Sequence, residues 1–415
     1  MIRNELRVAF CAFDFPNYYN GPNSWLKRLL PNLRKRGIEP EIWFFSTPGA
    51  GPLINAMRDL GIGCHVFPWS STSSEKIEWL IQQGTRFKPD VFIPNLCVAG
   101  MLAAPAFRNA GIPTVAILHT DDPFYDEVIN DFVTGRECDQ ISGLVCVSQW
   151  QMEHVKSPDC VSKVCIAYGV ELPDSVSEPP GDSLRLIYTG RFAQVQKRVR
   201  DVAKAFARAT SEIDGVSATM LGEGEELPHV RKLLEKYPQA DVSLPGAVDS
   251  NVVYQQLLRH HVIVLLSDYE GLPISLLEGM ACGLVPLCYQ FRSGLDELVI
   301  PGETGLIFND REEGFLTAVR QLKSDPSIWR RLSQGARERV SDHYRSDRIA
   351  QDWKDFFVRL LKVAGPRREL RLEVHDLPPL NSILACEDFR TSEQIRDPRF
   401  SSSNFKLAAN IWNHS

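Results

Sequence analysis

Two trains of short apolar runs, each alternating with segments of helical period and parted by one stretch that cannot pack, constrain this chain more than any other property. In the first half, β-branched and aromatic runs fall at 6–12, 41–45, 64–67, 90–94, 114–118, 143–147 and 164–167. Between them, 25–35, 53–60, 75–87 and 101–109 carry apolar residues at helical spacing. Residues 171–183, Glu-Leu-Pro-Asp-Ser-Val-Ser-Glu-Pro-Pro-Gly-Asp-Ser, are turn formers with almost nothing to bury, and read as a linker. A second train follows, with strands expected at 184–189, 217–221, 241–244, 262–266, 285–289 and 305–308 and helices at 199–210, 227–237, 252–259, 275–281 and 312–322. Such alternation builds parallel sheets with helices on both faces, so the expected fold is α/β, two doubly wound domains facing a cleft. The expected division is 1–170, the linker 171–183, and a second domain at 184–341. A helix at 342–365, with Trp353, Phe356, Phe357, Leu360 and Leu361 on its apolar face, is expected to return to the first domain, and 366–415 is a tail of unreadable role.

Length and charge narrow the functional classes. A chain of 415 residues exceeds one compact core and suits two. The formal net charge of −6 argues against a nucleic-acid binder, which needs a basic face for phosphates, and leaves nucleotides as small-molecule partners. Ten cysteines are scattered through apolar runs with no Cys-x-x-Cys pair, as expected of reduced, buried thiols in a cytosolic protein. The first residues read as a strand after a short charged lead, without the features of a signal peptide, and no run approaches the roughly 20 apolar residues that span a bilayer. The expected location is cytoplasmic. The basic amphipathic stretch 25–36 reads as an ordinary packed helix with a cationic last turn, although the same pattern suits peripheral contact with the inner face of an anionic membrane.

Three clusters carry chemistry. Thr189-Gly190-Arg191-Phe192-Ala193-Gln194-Val195-Gln196-Lys197-Arg198 lies where the second domain's first strand meets its first helix, and its cations suit a phosphate pair. Leu221-Gly222-Glu223-Gly224 follows the next strand; lacking Gly-x-Gly-x-x-Gly and carrying acid, it is better suited to a tight turn than to phosphate. The third runs from Ser267 to Gly283: a strand delivers the chain to the cleft edge, Glu270-Gly271-Leu272-Pro273 offers free N–H groups, and a helix begins near Ser275. The first N–H groups of such a helix have no intrahelical partner and favour anions. Glu278 lies about one turn inside, and two ionised carboxylates there suit the recognition of hydroxyls.

The Glu-x7-Glu spacing of Glu270 and Glu278, inside Glu-Gly-Leu-Pro-Ile-Ser-Leu-Leu-Glu-Gly-Met-Ala-Cys-Gly-Leu-Val-Pro, resembles the GT-B fold retaining glycosyltransferases, family 4. The likeness runs over residues 5–363, with Gly190-Arg191 and Lys197 similar to a diphosphate-binding loop, Leu221-Gly222-Glu223-Gly224 to a Gly-x-Gly turn, and Gly246-Ala247-Val248 to a base-holding loop. Asn-Gly-Pro at 20–22 resembles the glycine-rich first loop, and Ser148 after Val145-Cys146-Val147 matches a further position. The resemblance implies two Rossmann-like domains and a hexosyltransferase that moves sugar from a UDP- or GDP-linked donor to a hydroxyl acceptor on a glycan, lipid or small molecule. It implies no metal and no cofactor beyond the donor cosubstrate.

By that resemblance, Arg191 and Lys197 would stabilise the departing diphosphate, Glu278 would hold the ribose, and Glu270 with the N–H groups of Gly271, Leu272, Pro273 and Ile274 as a loop would hold the transferred sugar. Pro273 contributes shape rather than a donor, since proline has no N–H. Gly21 would meet the phosphates, and His119, at the end of a first-domain strand, would contact the sugar near its reacting carbon. The implied chemistry is front-face substitution in which the leaving phosphate takes the acceptor's proton. Two departures stand out: Pro22 follows Gly21 where a second glycine is frequent, and Arg198 follows Lys197 where glycine is common. A sugar-nucleotide 2-epimerase and a non-catalytic sugar-nucleotide-binding protein are the alternatives on the same architecture. Base, sugar, acceptor and oligomeric state are not legible.

Overall fold

The computed structural model describes residues 5–16, 18–95, 97–248, 250–291 and 293–371. The first train becomes β1 (Leu6–Phe13), α1 (Gly21–Arg34), β2 (Ile38–Ser46), α2 (Pro52–Asp59), β3 (Gly63–Pro68), α3 (Ser73–Phe87), β4 (Val91–Ile93), α4 (Val98–Asn109), β5 (Val115–Leu118), α5 (Pro123–Phe132), β6 (Gly143–Cys146), α6 (Gln149–His154) and β7 (Ser162–Cys165). The second becomes β8 (Leu184–Thr189), α7 (Val199–Glu212), β9 (Val216–Leu221), α8 (Leu227–Leu234), β10 (Val242–Gly246), α9 (Ser250–Leu257), β11 (Val262–Leu265), α10 (Ile274–Ala281), β12 (Val285–Tyr289), α11 (Leu295–Leu298), β13 (Leu306–Phe308), α12 (Glu313–Ser324), α13 (Pro326–His343) and α14 (Ser346–Val363).

All strand pairs are parallel, as apolar strands buried on both faces require. The first domain orders its strands β3-β2-β1-β4, and a single bridge from Phe92 to Thr114 carries the sheet on to β5-β6-β7. The second runs β10-β9-β8-β11-β12-β13. In each, the order reverses beside the first strand, so the carboxyl ends of β1, β4 and β5 in one domain and of β8 and β11 in the other open on a crevice. These are the two Rossmann-like domains of the expected fold.

The helix expected at 342–365 is α14, Ser346–Val363, and residues 342–343 instead end the preceding α13. Tyr344 N–H closes α13, and the chain then turns extended to pair with the end of the first domain: Val170 N–H donates to Tyr344 O at 2.9 Å and Ser346 N–H to Val170 O at 3.0 Å. A continuous helix would leave those groups facing inward, and the break lets α14 start afresh. α14 then lies along α1, where Trp353 packs on Trp25 with ring centroids 5.7 Å apart. Beyond it, residues 366–371 run along the first domain, held by Arg367 on Asp90 at 2.9 Å and by Leu370 against the buried cluster around Phe107. Most of the expected tail, 372–415, lies outside the described residues.

Candidate functional site

Glu270 is built into a network rather than displayed on a surface. β11 ends and the chain turns so that Glu270, 5% exposed as a residue, points its side chain back under the loop after β8. Its Oε1 accepts from Lys197 Nζ at 2.5 Å and from Ser267 Oγ at 2.7 Å, and its Oε2 from Gln196 Nε2 at 3.4 Å. Gln196 Oε1 in turn accepts from Arg191 Nη2 at 3.2 Å. Arg191, Gln196, Lys197 and Glu270, from two loops, therefore share one charge-assisted cluster at the cleft edge.

Glycine turns set the height of this edge. Gly190 has φ +155 and Gly222 φ +149, and a methyl on Gly222 would lie 1.9 Å from the Gly190 carbonyl oxygen, so only glycine fits where the two turns touch. This makes Leu221-Gly222-Glu223-Gly224 a packing turn. Gly222 N–H donates to Gly246 O at 3.0 Å, tying in the half-buried Gly246-Ala247-Val248 at the end of β10.

α10 begins at Ile274 behind Pro273 with no side chain capping its first turn, which leaves backbone donors to a ligand. From the first domain, Gly21 opens α1 behind Asn20, whose Oδ1 accepts from Asn23 N–H at 2.8 Å. A methyl on Gly21 would meet Ile274 Cδ1 at 3.4 Å, so the starts of α1 and α10 stand side by side. Their positive ends converge, an arrangement that favours an anion between them. Glu278, one turn into α10 with its side chain 12% exposed, is paired across the domains with Arg28 of α1. That partner is absent from the sequence reading.

Gly271 and Leu272 complete the loop, and at Gly271 the backbone packs closely against the first domain. A methyl on Gly271 would lie 2.3 Å from the His119 carbonyl oxygen and 3.0 Å from Val147 Cγ2. His119, 6% exposed just after β5, is held at both ring nitrogens: Nδ1 meets Tyr168 Oη at 2.6 Å and Nε2 meets Asn95 Oδ1. Burial pulls its pKa down to about 3, so the ring is neutral at ordinary pH. What His119 turns toward the second domain is its backbone carbonyl. Asn95, Tyr168, Ser267 and Gln196 also belong to the site. Gln196, inside the basic loop, and Ser267, at the head of the third cluster, carried a local signal; Asn95 and Tyr168 did not.

Several buried polar atoms here have no partner. They are Asn20 Nδ2, Asn95 Nδ2, Thr120 Oγ1 and Thr189 Oγ1, all at carboxyl ends of strands or the loops that follow, and Arg28 Nη1 between α1 and α10. Buried donors are normally satisfied, so this concentration marks where a ligand rich in hydroxyls and oxyanions would bond. Among the described residues no three His, Cys, Asp or Glu side chains gather as metal ligands.

Two Rossmann-like domains with a cleft of this chemistry define the GT-B architecture. Solved structures agree: sucrose-phosphate synthase from Thermosynechococcus elongatus superposes with a TM-score of 0.69 at 17% identity, covering 87% of this chain and 100% of that one. Anabaena HepE in complex with UDP and glucose gives 0.69 at 14% identity, covering 86% and 100%. Residues 173–339, which contain Arg191, Lys197, Glu270 and Glu278, match the family model of glycosyl transferases group 1. The chain is 32% identical over 181 residues to N-acetyl-alpha-D-glucosaminyl L-malate synthase of Bacillus anthracis, covering 43% of this chain and 46% of that protein. It is 23% identical over 238 residues to poly(glycerol-phosphate) alpha-glucosyltransferase of Bacillus subtilis, covering 57% and 35%. Each of these two sequence matches spans less than half the length of the relative. The chain has the GT-B fold, and its residues 173–339 are similar to the group 1 glycosyl transferases.

Proposed function

We propose that the protein is a retaining, metal-independent hexosyltransferase that takes its sugar from a UDP- or GDP-linked donor and passes it to a hydroxyl acceptor. The observation that carries this reading is the cluster of Arg191, Lys197 and Glu270, with the Arg28–Glu278 pair on α10 and two adjoining helix starts, and unpartnered buried donors among them. The diphosphate would lie at the starts of α1 and α10, drawing Lys197 from Glu270 as negative charge builds on the leaving group. Glu270 would then be free to accept from the sugar hydroxyls. His119 would line the sugar pocket through its carbonyl and ring edge, Glu278 would take the ribose, and Gly246 to Val248 the base. The leaving phosphate would accept the acceptor's proton, so no further base is required. Among the relatives, the structures with bound UDP and the glucosyl- and glucosaminyl-transferring enzymes favour a nucleotide-linked hexose.

The apolar side of α1, with Trp25, Leu26, Leu29, Leu30 and Leu33, is spent on the protein's own core, which favours a cytoplasmic enzyme over one resting on a membrane by this helix. A screen of UDP- and GDP-sugars by thermal shift and by hydrolysis or transfer products tests the reading. Lys197→Ala and Glu278→Ala are each expected to cut turnover by at least two orders of magnitude, measured below a melting temperature that falls because each leaves a buried charge without its partner. Full activity in both would overturn the site.

A further inference from the structure

The face of α1 toward the second domain meets it at Gly21 against Ile274, about two turns on at Arg28 on Glu278, and about one turn further at Asn32 on Glu171 and Ser346, where the chain crosses between domains. Arg28 is thus placed midway between the crevice mouth and the crossover. Its side chain is 10% exposed, and Nη2 donates to Glu278 Oε1. Nη1 is buried with no partner, and the second oxygen of Glu278 accepts no hydrogen bond from a described residue. One free donor and one free acceptor therefore belong to a single ion pair. Arg28 carries the charge despite its burial because Glu278 and then Tyr254 hold its pKa above the ordinary value.

A structural ion pair would be expected to use its forked geometry fully, since a buried guanidinium N–H left empty is costly. A pair of vicinal hydroxyls has the complementary pattern: one hydroxyl donates to the carboxylate and its neighbour accepts from the guanidinium. We propose that Arg28 is a second ribose-binding residue, contributed by the first domain, which orients the Glu278 carboxylate and bonds the adjacent ribose hydroxyl through Nη1. The proposal rests on the donor reading above. It makes ribose the part of the donor that both domains grip, so that nucleotide binding draws α1 and α10 together.

The test is the discrimination between UDP and 2′-deoxy-UDP, and between GDP and 2′-deoxy-GDP, by calorimetry on the full chain. Wild type is compared with Arg28→Gln and Arg28→Lys, both checked for folding by melting temperature. A hydrogen bond to a charged group is worth about tenfold or more, so the wild-type preference for the ribonucleotide is expected to fall about tenfold in Arg28→Gln, with partial recovery in Arg28→Lys. A purely structural role would weaken all ligands together and leave the ratio alone. An unchanged ratio in a folded variant overturns the proposal and leaves the donor reading standing. If Arg28→Gln does not fold, Arg28→Lys, which keeps the charge and loses the fork, decides on the same criterion. A wild type that binds neither diphosphate overturns the donor reading and this inference with it.

Discussion

His119 sets a pH dependence that belongs to one residue. Its folded pKa of about 3 lies below the 6.5 of a free imidazole, so its contribution is fully present above 6.5 and is lost as pH falls toward 3. Asp14 and Asp122, which burial raises to about 6, have the opposite sign: their contribution is present below 3.8 and lost as pH rises through 6. Urea denaturation of wild type and His119→Asn across this range is expected to show wild type losing the larger share of its stability between pH 6.5 and 3. Parallel curves would mean the ring is solvated. Arg198 gives a second case. It adopts φ +51 at the start of α7, the left-handed conformation that explains glycine at this position in similar loops, and its guanidinium holds Asp268 at 2.5 Å. Relief of about 1 kcal/mol of backbone strain is expected nearly to cancel the loss of a half-exposed ion pair of about the same worth. Arg198→Gly should therefore melt within a few degrees of wild type. Glu270, Arg191 and Lys197 were legible because each falls in a loop between a strand end and a helix start, a place the local pattern marks even though Lys197 and Glu270 are 73 residues apart. Arg28 was not, since nothing near it distinguishes an arginine on a basic helix from one facing a carboxylate 250 residues away.

At the scale of elements, strands were the easiest to read. β8 and β12 are as expected to the residue, because a parallel strand buried on both faces is an unbroken apolar run bounded by turn formers. The helices passed over were α5, α6, α11 and α13. α6 and α11 are only 6 and 4 residues long, too short to show a period. α13 buries Trp329, Leu332, Ala336 and Val340 on one narrow stripe, among charges and a glycine at 335 that mask it. The break before α14 was invisible because its cause, pairing with Val170, lies far off in sequence. α14 also supports the most demanding packing: Trp353 is 1% exposed and touches Trp25 and Phe357. Trp353→Ala is expected to cost about 3–5 kcal/mol in urea denaturation, and to loosen α1 with it. A cost below 1 kcal/mol would show that α14 is dispensable to the first domain.

For the whole molecule, the distance between domains is set by backbone at Gly271. Since a methyl there would overlap the His119 carbonyl, Gly271→Ala is expected to hold the cleft ajar: kcat/KM for the donor falls tenfold or more, while the melting temperature changes by only a few degrees. Unaltered kinetics would mean that the contact is not part of the working state. The division into two sheets was legible, but their separation was not, since it depends on atoms from residues 119 and 271 that no sequence pattern relates. The paired crossing at Val170 and Tyr344–Ser346 has a mechanical consequence. Two peptide strands bonded side by side resist twisting and sliding far more than a single tether would, so they act as a strap hinge with one easy axis. The domains should swing like a book on its spine, and the amides of Val170 and Ser346, next to that axis, should exchange with deuterium at the same slow rate whether the book is open or shut.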